Sequence, residues 1–330
     1  MTTFTLHRLR IYAVILTILA VFALAWASPV AATYPDRPIS LYLPLGPGGA
    51  TDNLARSVTN LAAQELGQRF TIQHRPGAGG SIASNTVARA APDGYRLLFA
   101  NFATHAVTPS LFASLPYDPI EGFRPVTLLA SQGHLVLVPA QSAIHSLDDL
   151  VAAAEADTLR FASSGIGSPL HLAAEYFAST LGAEMEHIPY ASSAPALQDL
   201  IAGRVDFMFD NISSGRGFVE SGDLRAIMFT GPERSSLLSD VPTALELGLE
   251  GFQTYGWWGI MAPAGTPDAI IETLTGAFLA AMSDEHLTGD LRSQGFNPIG
   301  STPAEFESHV ADEIARWAVV LESVGLKGSQ

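Results

Sequence analysis

Leu41 to Asn53, LYLPLGPGGATDN, passes from a short apolar run of strand character through Gly46-Pro47-Gly48-Gly49 into an amphipathic helical pattern that begins at Thr51. Strand, glycine turn and helix in that order open a βαβ unit. Glycine accepts positive φ and lets a ligand approach the main chain closely. The first amides of a helix lack intrahelical partners, and the macrodipole adds partial positive charge there. The stretch therefore reads as one half of a grip on a small anion.

The same order recurs outward from it. Leu54, Val58, Leu61 and Leu66 line one side of the first helix, which stops at Gly67. A strand over 70–73 leads to a second loop, Arg75-Pro76-Gly77-Ala78-Gly79-Gly80, with Ser81 as the expected N-cap of a helix to about residue 90. Pro92-Asp93-Gly94 turns into a strand over 95–100, followed by Asn101 and His105. After a strand over 135–138 the alternation restarts, and a strand over 159–162 ends in a third loop, Ser163-Ser164-Gly165-Ile166-Gly167-Ser168. Ser168 caps the next helix, with Pro169 as its first residue. A strand over 205–209 ends in Asp210-Asn211, and another follows over 224–229. Parallel βαβ units bind ligands outside the carboxyl ends of their strands, which is where all three loops stand.

The expected organisation is an α/β lobe made of 33–133 and 253–330, with a second α/β lobe, 134–252, inserted into it. The aromatic strand Tyr255 to Met261 marks the return, with Trp257 and Trp258 as core and hinge packing. In the last helix Phe306, Val310, Ile314, Trp317, Leu321 and Val324 form one apolar face for the first lobe.

Length and composition narrow the function. At 330 residues the chain suits two domains, and 48% apolar content is ample for burial. There are 32 acids against 17 bases, and Lys327 is the only lysine. Such a surface repels nucleic acid, so no nucleic-acid partner is expected, and an anion must be held locally. His7, Arg8 and Arg10, an apolar run from Ile11 to Trp26 and small residues to Ala32 have the order of a cleavable signal peptide. Cleavage after Ala32 is preferred to cleavage after Ala27, because Tyr34-Pro35 then opens the folded part; an uncleaved anchor is the rival reading. With no cysteine there is neither disulfide nor lipidated cysteine, which favours retention in a Gram-negative periplasm.

Known chemistries fit poorly. A Walker A loop needs a lysine after its last glycine, and the sixth position counted from Gly46 is Thr51 and from Gly77 is Ile82, so the dinucleotide fingerprint fails too. No Gly-x-Ser-x-Gly elbow occurs. His171 and Glu175 share a helix face at i, i+4, but no third ligand lies at matching spacing, so a paired histidine is expected rather than a metal centre. Asp52, in the first turn of the anion-site helix, is expected to stabilise its own helix. His105 reads equally as a ligand contact or a backbone partner, and Asp210 as an acceptor for a ligand ammonium or hydroxyl, or as a cap.

Pro44-x-x-Pro47-Gly48-Gly49-x-x-Asp52, Arg75-Pro-Gly-Ala-Gly-Gly80, Pro92-Asp-Gly-Tyr95, Leu115-Pro-Tyr-Asp-Pro119, Ser163-Ser-Gly-x-Gly-Ser168 with His171-Leu172, Ala194-Pro-Ala-Leu-x-Asp-Leu200, Gly203-x-Val-Asp-x-Met-Phe-Asp210 and Ala262-Pro-Ala-Gly-Thr-Pro267 follow in order. Together, from Tyr34 to the C-terminus, they resemble the Bug or TctC-type receptors of tripartite tricarboxylate transporters. The resemblance implies an α/β, two-lobed, type II-like periplasmic binding protein, each lobe a mostly parallel sheet flanked by helices, joined by crossover strands at a hinge. It implies a monomer without cofactor or metal that closes on a small carboxylate (a di- or tricarboxylate, amino acid or aromatic acid) and delivers it to large and small membrane permease subunits. The binding residues it implies are Gly48, Gly49, Ala50, Thr51, Gly79, Gly80 and Ser81 in the first lobe, and Ser163, Ser164, Gly165, Gly167, Ser168, His171 and Asp210 in the second. The pattern is broken in three places. Leu45 replaces an aromatic residue, Ala83 a glycine, and Ala191-Ser192 a Lys/Arg-Gly pair. The alternatives are a secreted hydrolase using Ser163, Ser164 or Ser168 with His171 or His105 as base, and a receptor that signals to a sensor kinase.

Overall fold

Three short apolar runs become three parallel strands: β1 (Ile39–Leu43), β2 (Phe70–His74) and β3 (Arg96–Asn101). β1 lies in the middle, paired from Ile39↔Phe70 to Leu43↔His74 on one side and from Ser40↔Arg96 on the other. The crossovers are α1 (Ala50–Leu66) and α2 (Ser81–Ala88), and α3 (Thr108–Leu111) follows β3. The computed structural model describes residues 34–329 apart from positions 49, 167 and 251, so the signal peptide over 1–32 lies outside the described residues.

The chain then runs through β4 (Phe123–Pro139), α4 (Leu147–Ala156), β5 (Leu159–Ser163), α5 (Pro169–Leu181), β6 (Met185–Pro189), α6 (Ser193–Ile201), β7 (Phe207–Asn211), α7 (Ile212–Glu220) and β8 (Leu224–Phe229). It returns through β9 (Tyr255–Pro263), α8 (Asp268–Met282), α9 (Glu285–Ser293), β10 (Asn297–Pro298) and α10 (Pro303–Ser323). The strands lie in the order β2-β1-β3-β9-β4-β7-β5-β6, with β8 and β10 attached to β4. β5 pairs in parallel with β6 and β7, as β1 does with β2 and β3, while β3–β9, β4–β9 and β4–β7 are antiparallel. Each half is thus a parallel triple, and β4 and β9 join them.

β4 changes partner in mid-strand. Phe123 to Gly133 pair with β9, whereas His134 to Pro139 pair with β7 and β8. The change falls at Gly133, where there is no room for a side chain: a Cβ would lie 2.5 Å from the Phe229 ring and 2.7 Å from the Gly231 nitrogen. The sequence pattern shows only the last part of this strand. Pro125 lacks an N–H, and register shifts between Pro125 and Thr127 and between Leu128 and Ala130 interrupt the alternation earlier on. β6 escapes periodicity altogether, since MEHIP is partly exposed throughout. One local expectation is corrected. Ser81 is the first residue of α2 and makes no cap bond, because Gly80 at φ 91° takes the N-cap position; the helix also ends at Ala88 rather than near 90.

Each half has its own core. Phe102, Trp257, Phe306 and Trp317 centre the first, and Phe161, Phe177, Phe207, Phe209 and Phe252 the second. Each fully buried side chain of this size contributes about 1.5–3 kcal/mol. α10 starts with a capping box between Thr302 and Glu305 and buries Phe306, Val310, Trp317 and Leu321, the face its spacing predicts. Leu172 of α5 joins the first cluster, and the Tyr176 ring meets that of Trp317 at 6.0 Å. Trp257 Nε1 donates to Glu313 Oε2 (3.2 Å), and Arg316 pairs with the other oxygen at 3.1 Å. Burial pushes the Glu313 carboxyl up, against the pull of Arg316 and these bonds. Among the described residues no helix is long and apolar enough to cross a membrane.

Gly259 of β9 has no room for a side chain, since a Cβ would sit 2.3 Å from the Phe306 ring and 2.8 Å from the Thr127 carbonyl oxygen. Gly259→Ala is expected to cost about 1–3 kcal/mol, read as a lower urea midpoint with an unchanged slope.

Candidate functional site

The three loops leave the C-terminal ends of parallel strands, and the sheet order makes those ends neighbours. β2, β1 and β3 present the second loop, the first loop and the segment Asn101 to His105; β6, β5 and β7 present Tyr190, the third loop and Asn211. This is where open α/β sheets collect ligands, because unpaired amides and helix N-termini converge there.

The first loop is pinned from within. Asp52, only 5% exposed, accepts from Gly48 N (3.0 Å) and from Arg56 Nε (3.1 Å), and His74 Nε2 lies 3.3 Å from its other oxygen. His74 Nδ1 donates to the Leu45 carbonyl at 2.9 Å. Burial alone raises the Asp52 pKa, but the Gly48 amide, Arg56 and His74 outweigh it and hold the carboxyl below its ordinary value. The consequence corrects one expectation: the Gly48 amide is spent on Asp52 rather than offered to a ligand. Gly49 lies outside the described residues. Ala50 and Thr51 open α1, so their amides belong to the helix turn that lacks intrahelical partners.

The second loop is a run of left-handed backbone, with φ of 121°, 47°, 61° and 91° at Gly77, Ala78, Gly79 and Gly80. The turn closes on itself, with Gly80 N donating to Gly77 O (2.9 Å) and Ser81 N to Ala78 O, so any backbone donors it offers outward come from the earlier part of the loop. Gly80 must be glycine, because a Cβ would lie 2.4 Å from Thr104 Cγ2 and 2.9 Å from Pro44 Cβ; this contact presses the second loop onto the first. Beside it, Ser81 Oγ is buried and faces the Tyr117 hydroxyl. The Tyr117 hydroxyl interacts with Ser81 and Ser84 but gives its proton to Thr104 O at 2.8 Å, and burial pushes it up to about 12.

His105 is not at the loop surface. Its ring is fully buried, 4.9 Å from the Phe123 ring and 6.1 Å from that of Tyr117, and burial lowers its pKa to about 3. Thr104 Oγ1 donates to Asn101 O, so the His105 Nδ1–H donates to Thr104 (2.8 Å), and the imidazole braces the turn after β3.

In the second half, Ser168 accepts from His171 N (3.2 Å) as the N-cap of α5, with Pro169 following as expected. Ser164 is half-buried, Ile166 is exposed, and Gly167 lies outside the described residues. Ser163 is fully buried: its hydroxyl donates to Gly165 O (3.2 Å), accepts from Gly165 N (3.1 Å) and lies 2.7 Å from His187 Nε2. His187 in turn stacks on His171 at 3.9 Å, and His171 Nε2 sits 3.2 Å from Glu175 Oε1. Burial first, then His171, lowers the His187 pKa to about 4, against the pull of Glu175. Sequence reasoning missed His187, because β6 has no periodic signal and His187 stands 16 residues beyond His171 in the numbering. Serine and imidazole are in contact, but the hydroxyl is fully buried, so this pair does not present a nucleophile to solvent.

Asp210 is also enclosed. Ser193 Oγ donates to Oδ1 (2.7 Å) and Ser214 Oγ to Oδ2 (2.6 Å), with no surface exposed. Burial raises its pKa, against those two hydroxyls and the Asn211 amide. Neither expected role holds: the carboxylate staples α6 and α7 to the end of β7, and Asn211 is the N-cap of α7. A cavity of about 190 Å³ opens at the strand crossing, beside Gly133, Arg234 and Arg292, and includes none of the loop residues.

Residues 54–326 match the model of the tripartite tricarboxylate transporter family receptor. Protein BugT of Bordetella pertussis is 37% identical over 305 residues, 91% of this chain and 94% of that one. An R. palustris protein solved with adipate is 34% identical with a TM-score of 0.74, covering 88% of this chain and 98% of that one. MatC from Rhodopseudomonas palustris with bound malate is 34% identical with a TM-score of 0.71, covering 87% and 100%.

Two outcomes test the placements. Asp210→Asn keeps an acceptor for one serine and a polar group for the other, so carboxylate affinity by calorimetry is expected to change less than about threefold, whereas a direct contact would lose tenfold or more. The depressed Asp52 pKa stabilises the fold above the ordinary value of 3.8, and that contribution is lost as pH falls through the folded-state value. Asp52→Asn should flatten this part of the acid unfolding profile.

Proposed function

The chain belongs to the tripartite tricarboxylate transporter receptor family, and on that premise we propose that it captures a small carboxylate between its two parallel triples and delivers it to the membrane permease subunits of such a transporter. The family and its solved neighbours are substrate-binding proteins. The chain is accordingly a receptor and not an enzyme, which sets the hydrolase alternative aside. The observation that carries the reading is the convergence of glycine loops at adjacent parallel strand ends in both halves.

The first jaw consists of the amides of Gly49, Ala50 and Thr51 with the loop over 77–79 and the Ser81 hydroxyl; the second consists of Ser164, Gly167 and Ser168, the Gly80 and Gly165 amides being bonded within their own loops. Neutral amide and hydroxyl donors hold a carboxylate without arginine, at about 1–3 kcal/mol for each charge-assisted bond. Closure rotates the lobe over 134–252 about the partner change in β4 and the start of β9. The chain acts as a monomer in the periplasm after removal of 1–32, and needs no cofactor.

Leu45, Ile82 and Ile166, one on or beside each loop, are 42%, 49% and 70% exposed. Large apolar side chains at three loop rims suit a ligand with an apolar body behind its carboxylate. Neighbours solved with adipate and malate bracket the choice between an aliphatic and a hydroxylated diacid. In a thermal-shift and calorimetric panel, adipate or an aromatic acid is expected to bind at least about tenfold more tightly than malate or aspartate, a difference of about 1.4 kcal/mol. Failure of every carboxylate to give saturable stabilisation would sink the assignment.

A further inference from the structure

His171, Glu175 and His187 each offer a ligand atom, and these atoms lie within 4.8 Å of one another. Two come from one helix face and the third from β6, so the set exists only in the folded chain. We propose that these side chains form a transition-metal site, best suited to Zn²⁺, that ties α5 to β6 beneath the third loop.

The donor set is two imidazoles and one carboxylate, a three-residue combination that leaves a fourth position open on zinc. The spacing suits it. Metal–ligand bonds of about 2.0–2.1 Å put the ligand atoms of a tetrahedral ion about 3.3 Å apart, and His171 Nε2 lies 3.2 Å from Glu175 Oε1. The third ligand has its orientation fixed from outside. With Nδ1 on the ion, His187 Nε2–H would donate to Ser163 Oγ, 2.7 Å away, and the Ser163 proton would go to Gly165 O at 3.2 Å. A hydrogen bond from the far ring nitrogen is the arrangement that sets the tautomer of a metal-bound histidine. The stacked rings, 23° from parallel, need a modest rotation of His187 to bring Nδ1 onto the ion.

The approach is acidic. Glu175, Glu184 and Glu186 line an open groove that, among the described residues, has no basic side chain in its lining. An ion in this place bears on the third loop through one bond, since Ser163 holds both the Gly165 amide and His187. The site is separate from the carboxylate grip, and its metal occupancy is read without any carboxylate present.

The test uses the untagged full chain, stripped with a chelator and titrated with Zn²⁺ by calorimetry and with Co²⁺ by visible absorption. One saturable equivalent of Zn²⁺ is expected, with the intense d–d bands of tetrahedral cobalt. His187→Gln and His171→Gln should each weaken binding at least tenfold and abolish the bands, and Ser163→Ala should weaken it by about 10-fold or more. Should either histidine variant misfold, Glu175→Gln decides, because this side chain is partly exposed and its loss leaves the core intact. The proposal is overturned if no saturable binding occurs, or if the affinity is the same in the folded variants, which would mark adventitious binding elsewhere on the acidic surface.

Discussion

A single strand serving two sheets is the constraint on which the rest depends. Backbone groups in a buried strand must be paired, and β4 meets that demand with β9 up to Gly133 and with β7 and β8 from His134. The junction is closed by bonds between His134 and Thr230: His134 N donates to Thr230 Oγ1 (2.8 Å), and Thr230 N donates to His134 O (2.9 Å). Thr230 then donates to the Thr254 carbonyl, one residue before β9 starts. Outgoing and returning chains are therefore tied at one place, and each parallel triple is free to carry its own loops away from it.

Charge is handled in a consistent way across the molecule. A chain with nearly twice as many acids as bases binds an anion poorly through its long-range field. The acids nearest the loops are neutralised or withdrawn instead. Asp52 is matched by Arg56, His74 and an amide; Asp210 is enclosed by two serine hydroxyls. What is left facing outward at the loops is glycine backbone, small hydroxyls, a few apolar side chains and the exposed Arg75 at the start of the second loop. In the second half His171 is likewise buried, and it stacks on the partly buried His187.

Much of this was legible in the sequence, and for a physical reason: strand-to-helix turns are local. The glycine loops, the Ser168 cap with Pro169, the apolar face of α10 and the parallel order of the loop-bearing strands all depend on residues within a few positions of one another. The partner of a side chain is not local. Asp52 announced itself as a helix-stabilising acid, but not that it would consume the Gly48 amide; the four positive φ values at 77–80 turned an expected Ser81 cap into a buried hydroxyl facing Tyr117.

The sequence by itself determined the α/β class, the three loops and the family, because each rests on short-range chemistry repeated in order along the chain. Only the tertiary structure decided that His105 and Asp210 face inward, that β4 is one long strand shared by both halves, and that His187 meets His171 and Glu175. Those facts are set by which strands lie side by side, and strand order is fixed by long-range pairing and burial that no local pattern records.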